Sequence, residues 1–292
     1  MSNVYKGATM SRAGTVEQPR CSTVSEAVKS LSDLIKEQDG GDENYFHGQL
    51  GRFSRSANRI LQIRPTPCRV LDIGSHYLHQ AGLLSLLGYE VYGLDVEIFT
   101  GADFVAERAR RLNIRNFSTK TLEHGEFLEG YENYFDLVIF TEAIEHITFN
   151  PVGFWRRVYE LLTQGGTIYL TTVNSFRPKA LLKTILRLTT LTGTGLSVRE
   201  VLGTITYGHH WKEYSPREIK QYFEALSPDF KVDVRPYSQM PRGGLKRALI
   251  GSLSLVPIFR TDIEAIVNIP TKARFSAKVP RLPMHRGKSD LK

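Results

Sequence analysis

The sequence predicts an α/β fold: a seven-stranded, mostly parallel sheet with helices on both faces. Three observations predict it. Apolar runs of strand length alternate with amphipathic segments of helix length along most of the chain. One run, Phe135 to Phe140 with DLVIF in its middle, has almost no polar content, as expected of a strand at the centre of a parallel sheet. The stretch Arg69 to Val96 reads as strand, tight turn, helix, strand, and places Asp95 at the end of its second strand. An acidic residue about 20 residues past a glycine turn is where nucleotide-binding α/β folds grip a ribose.

The elements follow in order. Residues 1–20 are expected to be disordered. Residues 21–64 form an N-terminal helical cap. Its first helix, Ser22 to Gln38, puts Val24, Ala27, Val28, Leu31, Leu34 and Ile35 on one face, and Gly40 and Gly41 break it. Its second, Tyr45 to Ile63, puts Leu50, Phe53, Ala57, Ile60 and Leu61 on its apolar face and carries Arg52, Arg55 and Arg59 on or beside the other face. The main domain spans residues 65–270. Val70, Leu71 and Ile73 make its first strand, ended by Gly74, where the missing Cβ lets the backbone approach a ligand. A short helix stops at Gly88, and Glu90 to Asp95 is the second strand. Ala102 to Leu112 is a helix and Asn116 to Thr121 a short strand. The helix that starts at Pro151 is expected to run to Gly165-Gly166, with Thr167 to Val173 as the next strand. Residues 176–215 interrupt the rhythm as an inserted helical lid. Within it Lys179, Lys183 and Arg187 lie opposite Leu181, Leu182, Ile185 and Leu186, a pattern that fits a helix packed on the domain or one lying on a membrane surface. Ser215-Pro216 caps a helix to Leu226, and Lys231 to Pro236 and Ile263 to Ile269 are the last strands.

Charge and composition narrow the setting. The net charge is +8, but residues 271–292 hold seven basic residues and one acid, so the folded body is near neutral. That basic tail is expected to be disordered, and offers at most a contact with nucleic acid or an anionic membrane. The near-neutral body argues against a long nucleic-acid footprint. Cys21 and Cys68 make no metal or disulfide pattern, which favours a reducing, cytoplasmic setting. The N-terminus lacks the apolar core of a secretory signal, and Ala248 to Phe259 is too short to span a bilayer.

The chemistry gathers after the central strand. Glu142, Glu145 and His146 are three and four residues apart, so one helical turn points all three at one place. Two carboxylates and an imidazole at that spacing can hold a divalent cation. Further imidazoles, His209 and His210, follow in HHWKEY.

With FDLVIFTEAIEHI, PVGFWRRVYELLTQGGTIYLTTVNS and HHWKEYSPREIKQYF in hand, the chain resembles the S-adenosylmethionine-dependent methyltransferases of the Rossmann-like class, from about Tyr45 to Ile269. The resemblance implies that Asp72, Gly74 and Ser75 lie under the methionine part of the cofactor and that Asp95 holds its ribose hydroxyls. Val96 and Thr141 count with them as cofactor-binding positions. One of Arg52, Arg55 and Arg59 is expected to meet the cofactor carboxylate. His76 and Leu78 stand where the family has glycines, and the segment near Thr119 to Leu122 lacks the usual acidic residue on the adenine side. The Glu-x-x-Glu-His turn is similar to that of ubiquinone-pathway O-methyltransferases and of the metal-dependent enzymes that methylate the 2′-oxygen at small-RNA 3′ ends. This second likeness implies a metal held by Glu142, Glu145, His146 and His210. Without a metal, His210, His209 and His146 are the candidate general bases, unless they only pack. The expected activity is O-methylation of a small hydroxylated acceptor, a saccharide or natural-product intermediate. RNA ribose methylation and a catalytically inactive binding protein of the same fold are the alternatives.

Overall fold

The structure, a computed structural model, describes residues 21–191, 195–238 and 255–278. Residues 1–20, expected to be disordered, lie outside the described residues. Thr23 opens the first helix, α1 (Val24–Gln38), with a reciprocal cap: its side chain accepts from the Glu26 N–H, and Glu26 accepts from the Thr23 N–H. The second cap helix, α2 (Glu43–Ile63), follows. The chain then alternates β1 (Arg69–Ile73), α3 (His79–Leu86), β2 (Glu90–Val96), a single turn α4 (Glu97–Thr100), α5 (Asp103–Arg111) and β3 (Arg115–Thr119). A second run gives β4 (Phe135–Thr141), α6 (Val152–Leu161) and β5 (Leu162–Val173). The insertion supplies α7 (Pro178–Thr189) and α8 (Val198–Gly203), and α9 (Pro216–Leu226), β6 (Lys231–Tyr237) and β7 (Asp262–Asn268) close the chain.

The sheet order is β3-β2-β1-β4-β5-β7-β6, parallel except for β7, which runs antiparallel between β5 and β6. The order reverses between β1 and β4, and a crevice opens there at the carboxyl ends of the strands. Successive residues of β4 serve opposite layers, as the strand period requires. Leu137 and Ile139 pack with α1, α2 and α3, while Val138 and Phe140 pack with α6 and α9 around Trp155 and Phe223.

Three features differ from the sequence reading. The helix after Pro151 ends at Leu161 instead of at Gly165-Gly166, and Leu162 already pairs with Phe135. Gly165 (φ +78°) donates its N–H to the Ile269 carbonyl, so the glycines turn a strand and do not stop a helix. No residue of α7 is buried, so its apolar side does not pack on the domain as a lid helix would. The start of the tail expected to be disordered is held down: Ala273 and Arg274 donate their N–H groups to Asp229, and Lys272 donates to the Leu162 carbonyl. The rest of the tail, residues 279–292, lies outside the described residues.

Two polar anchors fix the cap to the body. At its front, buried Asp42 accepts from His79 at 2.6 Å and from Arg108 at 2.7 Å, and Arg108 also donates to the Tyr77 carbonyl. Burial alone would raise the Asp42 pKa, but the hydrogen bonds from His79 and Arg108 outweigh it and hold the carboxylate ionised. At its back, Arg55 and Arg59 of α2 pair with Glu264, a buried residue of β7 that also accepts from the Tyr169 hydroxyl.

Candidate active site

The loop between β1 and α3 forms the floor of the crevice. Gly74, His76 and Leu78 have φ of +75°, +47° and +60°. The last two are non-glycine residues in a region that disfavours a Cβ. They are held there by neighbours. The His76 N–H donates to Asp95 Oδ2 at 2.7 Å, the Gly74 N–H donates to the Leu94 carbonyl, and the Leu78 side chain is fully buried. The loop thus keeps a left-handed backbone at both positions without glycine there. The His76 ring sits against Tyr45 and Phe99, at 5.4 and 4.6 Å between ring centres.

A cavity of about 680 Å³ fills the crevice, a size suited to a cofactor with a small second ligand. Asp72, Gly74, Ser75, Asp95, Val96 and Thr141, the six positions expected to bind cofactor, all line it. Asp95 is fixed through both oxygens, by the N–H groups of His76 and Val96 at 2.7 Å each, which leaves its remaining lone pairs for ligand hydroxyls. Burial raises its pKa. Burial, with the nearby Asp95 charge, pushes Asp72 up to about 8, against the Arg52 guanidinium, which pulls it down. Of the three candidate arginines only Arg52 lines the cavity, because Glu264 holds Arg55 and Arg59 elsewhere.

The cavity wall is chemically unfinished in a way that fits the cofactor. Arg52 Nε, Ser75 Oγ, His76 Nδ1 and Gln80 Nε2 are buried, lack a partner, and belong to residues that line it. Unpaired buried polar atoms are costly, so several converging on one cavity mark the place of a polar ligand. Arg52 can take a carboxylate, Asp72 an ammonium, and Asp95 a ribose diol. Lys120, Thr121, Leu122 and Glu123 line the cavity past β3, where the sequence put the adenine side; Thr119 does not. Sequence reading missed Tyr45, Gln80, Phe99 and the segment Ile205–Gly208, which also line it. The signal for Gln80 was a polar pair, His79-Gln80, at the head of an otherwise apolar helix.

Past β4 the chain does not form the helical turn that would aim Glu142, Glu145 and His146 at one point. Glu142 is left-handed (φ +52°), and a single 3₁₀ turn, Ile144–His146, follows. Glu142 accepts from the Thr171 hydroxyl at 2.8 Å and lines the cavity. Glu145 accepts from Thr172 at 2.8 Å. The four expected metal ligands are therefore divided. Glu145, His146 and His210 bring one ligand atom each within 4.8 Å of one another, and Glu142 stands outside the group. Glu145 Oε1 is buried without a partner, and burial, then the Glu142 charge, pushes that carboxyl up to about 7. His146 donates from Nδ1 to the His209 carbonyl at 3.0 Å, which leaves Nε2 as an acceptor. Burial pushes its pKa down to about 4. His210 faces Glu213 through Nδ1 at 3.5 Å, and the hydrogen bond to Glu213 raises its pKa.

Of the three histidines expected to act as bases, only His146 lines the cavity. His209 is buried, and its Nε2 lies 3.0 Å from the Glu200 carbonyl, so its ring ties α8 to the following loop.

Among the described residues, no helix is long and apolar enough to cross a membrane. No curated protein matches the chain in sequence. In structure it is similar to a SAM-dependent methyltransferase from Archaeoglobus fulgidus, with a TM-score of 0.51 at 15% identity over 78% of this chain and 100% of that one. That likeness shows the fold. A SAM-dependent methyltransferase from Thermotoga maritima, described as a possible histamine N-methyltransferase, gives 0.48 at 14% identity over 82% and 98% of the two chains. The plantazolicin methyltransferase BpumL, solved with SAH, gives 0.47 at 16% over 85% and 99%. The methyltransferase-domain family matches residues 45–227, most of the chain, and covers the loop, Asp95 and the turn after β4. The chain belongs to that family, and is an S-adenosylmethionine-dependent methyltransferase of the Rossmann-like class.

Proposed function

We propose that the protein methylates a hydroxyl oxygen of a small acceptor, a saccharide or natural-product intermediate, with His146 receiving the hydroxyl proton. The observation that carries this reading is His146 itself: a neutral imidazole on the cavity wall whose Nδ1 is committed to a backbone carbonyl, so that Nε2 is an acceptor. S-adenosylmethionine supplies, when bound, a methyl group on a sulfonium. Arg52, Asp72 and Asp95 bind its carboxylate, ammonium and ribose. A hydroxyl is a poor nucleophile until its proton has somewhere to go, and an oriented imidazole provides that.

A second reading has its own support, the buried and unpartnered Glu145 Oε1. Glu145, His146 and His210 form a set of two imidazoles and one carboxylate that suits a divalent cation with open positions. A cation there would lower the pKa of an acceptor hydroxyl and would favour a vicinal diol. RNA ribose remains an acceptor of this kind, with the basic tail as its handle.

One set of assays separates these. Labelled methyl transfer to hydroxylated acceptors should fall about 100-fold in His146→Ala. Transfer to amines only would refute the oxygen reading. If a cation is used, chelator and Glu145→Gln each remove turnover and added metal restores it after chelation. If His146 acts alone, chelator has no effect and Glu145→Gln stays within a few-fold of wild type. Loss of transfer on removing residues 279–292 would point to RNA.

A further inference from the structure

The helices α7 and α8 both leave long apolar side chains exposed. Leu182, Ile185, Leu186 and Leu188 on α7 are each more than half exposed, and Val198 and Leu202 on α8 more so. Leu182, Ile185 and Leu186 have the three- and four-residue spacing of a single stripe. Contiguous apolar surface of this kind marks an interaction site. The two helices act as one platform, because Glu200 of α8 pairs with Lys183 and Arg187 of α7 while it closes the cap with Ser197.

The rim of this platform is cationic. Residues 176–208 carry five basic residues, Arg177, Lys179, Lys183, Arg187 and Arg199, against the single acid Glu200. Lys183 and Arg187 are turned to Glu200, and Arg177 to Glu213, while Lys179, three and seven residues before Leu182 and Leu186, stands at one edge of the stripe; Lys179 and Arg199 are exposed. An exposed apolar stripe edged by cations suits the boundary between lipid headgroups and acyl chains. The platform is also continuous with the cavity. Ile205 and Tyr207 line the cavity and are at the same time 58% and 46% exposed.

We propose that α7 and α8 are a docking surface for an anionic lipid bilayer, which brings the rim formed by Ile205 and Tyr207 to the membrane face. An anionic headgroup layer over acyl chains matches what is exposed here: Lys179 beside Leu182 and Leu186, and Arg199 beside Val198 and Leu202.

The test is sedimentation of the full chain with vesicles of phosphatidylcholine alone or mixed with phosphatidylglycerol, at low and high salt. The expected result is binding to the anionic vesicles that weakens with salt. Lys179→Glu should weaken it by about five-fold, and Leu182→Glu with Leu186→Glu by about ten-fold or more. These side chains are exposed, so affinity for S-adenosylhomocysteine, measured alongside, should be unchanged. Failure to bind any vesicle, or equal binding by wild type and variants, overturns the proposal. So does a dimer in sedimentation-velocity runs that the Leu182→Glu, Leu186→Glu pair dissolves, since the face would then join two copies of this chain. None of these outcomes depends on the acceptor or on how its proton is removed.

Discussion

Replacing Arg52 by Met tests how the cavity holds its donor. Methionine keeps most of the apolar length of the side chain but removes the guanidinium, whose carbon stands over the Phe53 ring at 4.9 Å from its centre. What is lost is the charge, the bond from the guanidinium to the Tyr45 hydroxyl at 3.2 Å, and the buried Nε that has no protein partner. A hydrogen bond to a charged group contributes about 1.5–3 kcal/mol, so affinity for S-adenosylhomocysteine should fall by about 10- to 150-fold. Adenosine has no carboxylate, and its affinity should change by less than about three-fold on the same argument. Arg52→Lys should lie between the two. Titration calorimetry with both ligands reads the difference directly. An equal loss for adenosine would mean that Arg52 shapes the cavity and does not bind the carboxylate; no loss for either ligand would refute the assignment outright.

Two further outcomes follow from the buried charges. Asp42→Asn leaves fully buried Arg108 without its carboxylate, and should cost about 3–5 kcal/mol in denaturant unfolding; a change below about 1 kcal/mol would show that the Tyr77 carbonyl and Gln38 suffice. The second concerns pH. Asp72 and Glu145 are raised to about 8 and about 7, so the folded state holds protons there that the unfolded chain has released, and their contribution to stability is lost as pH rises toward 8. His76 and His146 are both lowered to about 4, so below their ordinary value near 6.5 the unfolded chain takes protons the fold refuses, and stability is lost as pH falls. Between about pH 4 and 6 these two effects oppose each other and nearly cancel, so the melting temperature of the ligand-free protein should be nearly level there and fall from about pH 6.5 to 8, where only the carboxyls still count. A flat profile from pH 6.5 to 8 would show that Asp72 and Glu145 are ionised in the empty protein.

Much of this fold was legible because burial leaves a periodic trace. The DLVIF run, the stripe of α1 and the glycine turn before Asp95 all report local geometry, and the structure confirms each. What was not legible depends on partners far along the chain. Arg52, Arg55 and Arg59 look alike on their helix; Glu264, over 200 positions later, takes two of them and leaves the first for the cavity. Glu142 and Glu145 look like neighbours on a turn, but the left-handed backbone at Glu142 and the two hydroxyls of Thr171 and Thr172 send them to separate places. His209 and His210 are adjacent in sequence, yet one ring is spent on the Glu200 carbonyl and the other faces Glu213. The insertion of β7 between β5 and β6 leaves no local mark, since either edge order satisfies the same apolar pattern.

The double anchoring of α2 bears on how the enzyme turns over. With Asp42 locked to His79 and Arg108 at the front and Glu264 gripping two arginines at the back, the cap cannot swing aside without breaking a buried ion pair. Another part of the cavity wall, Thr206–Gly208, is a single short turn with no buried residue. The walls of the pocket are thus unequal: one is pinned by buried charge, the other is an exposed turn that rests on Phe99 through the Tyr207 ring.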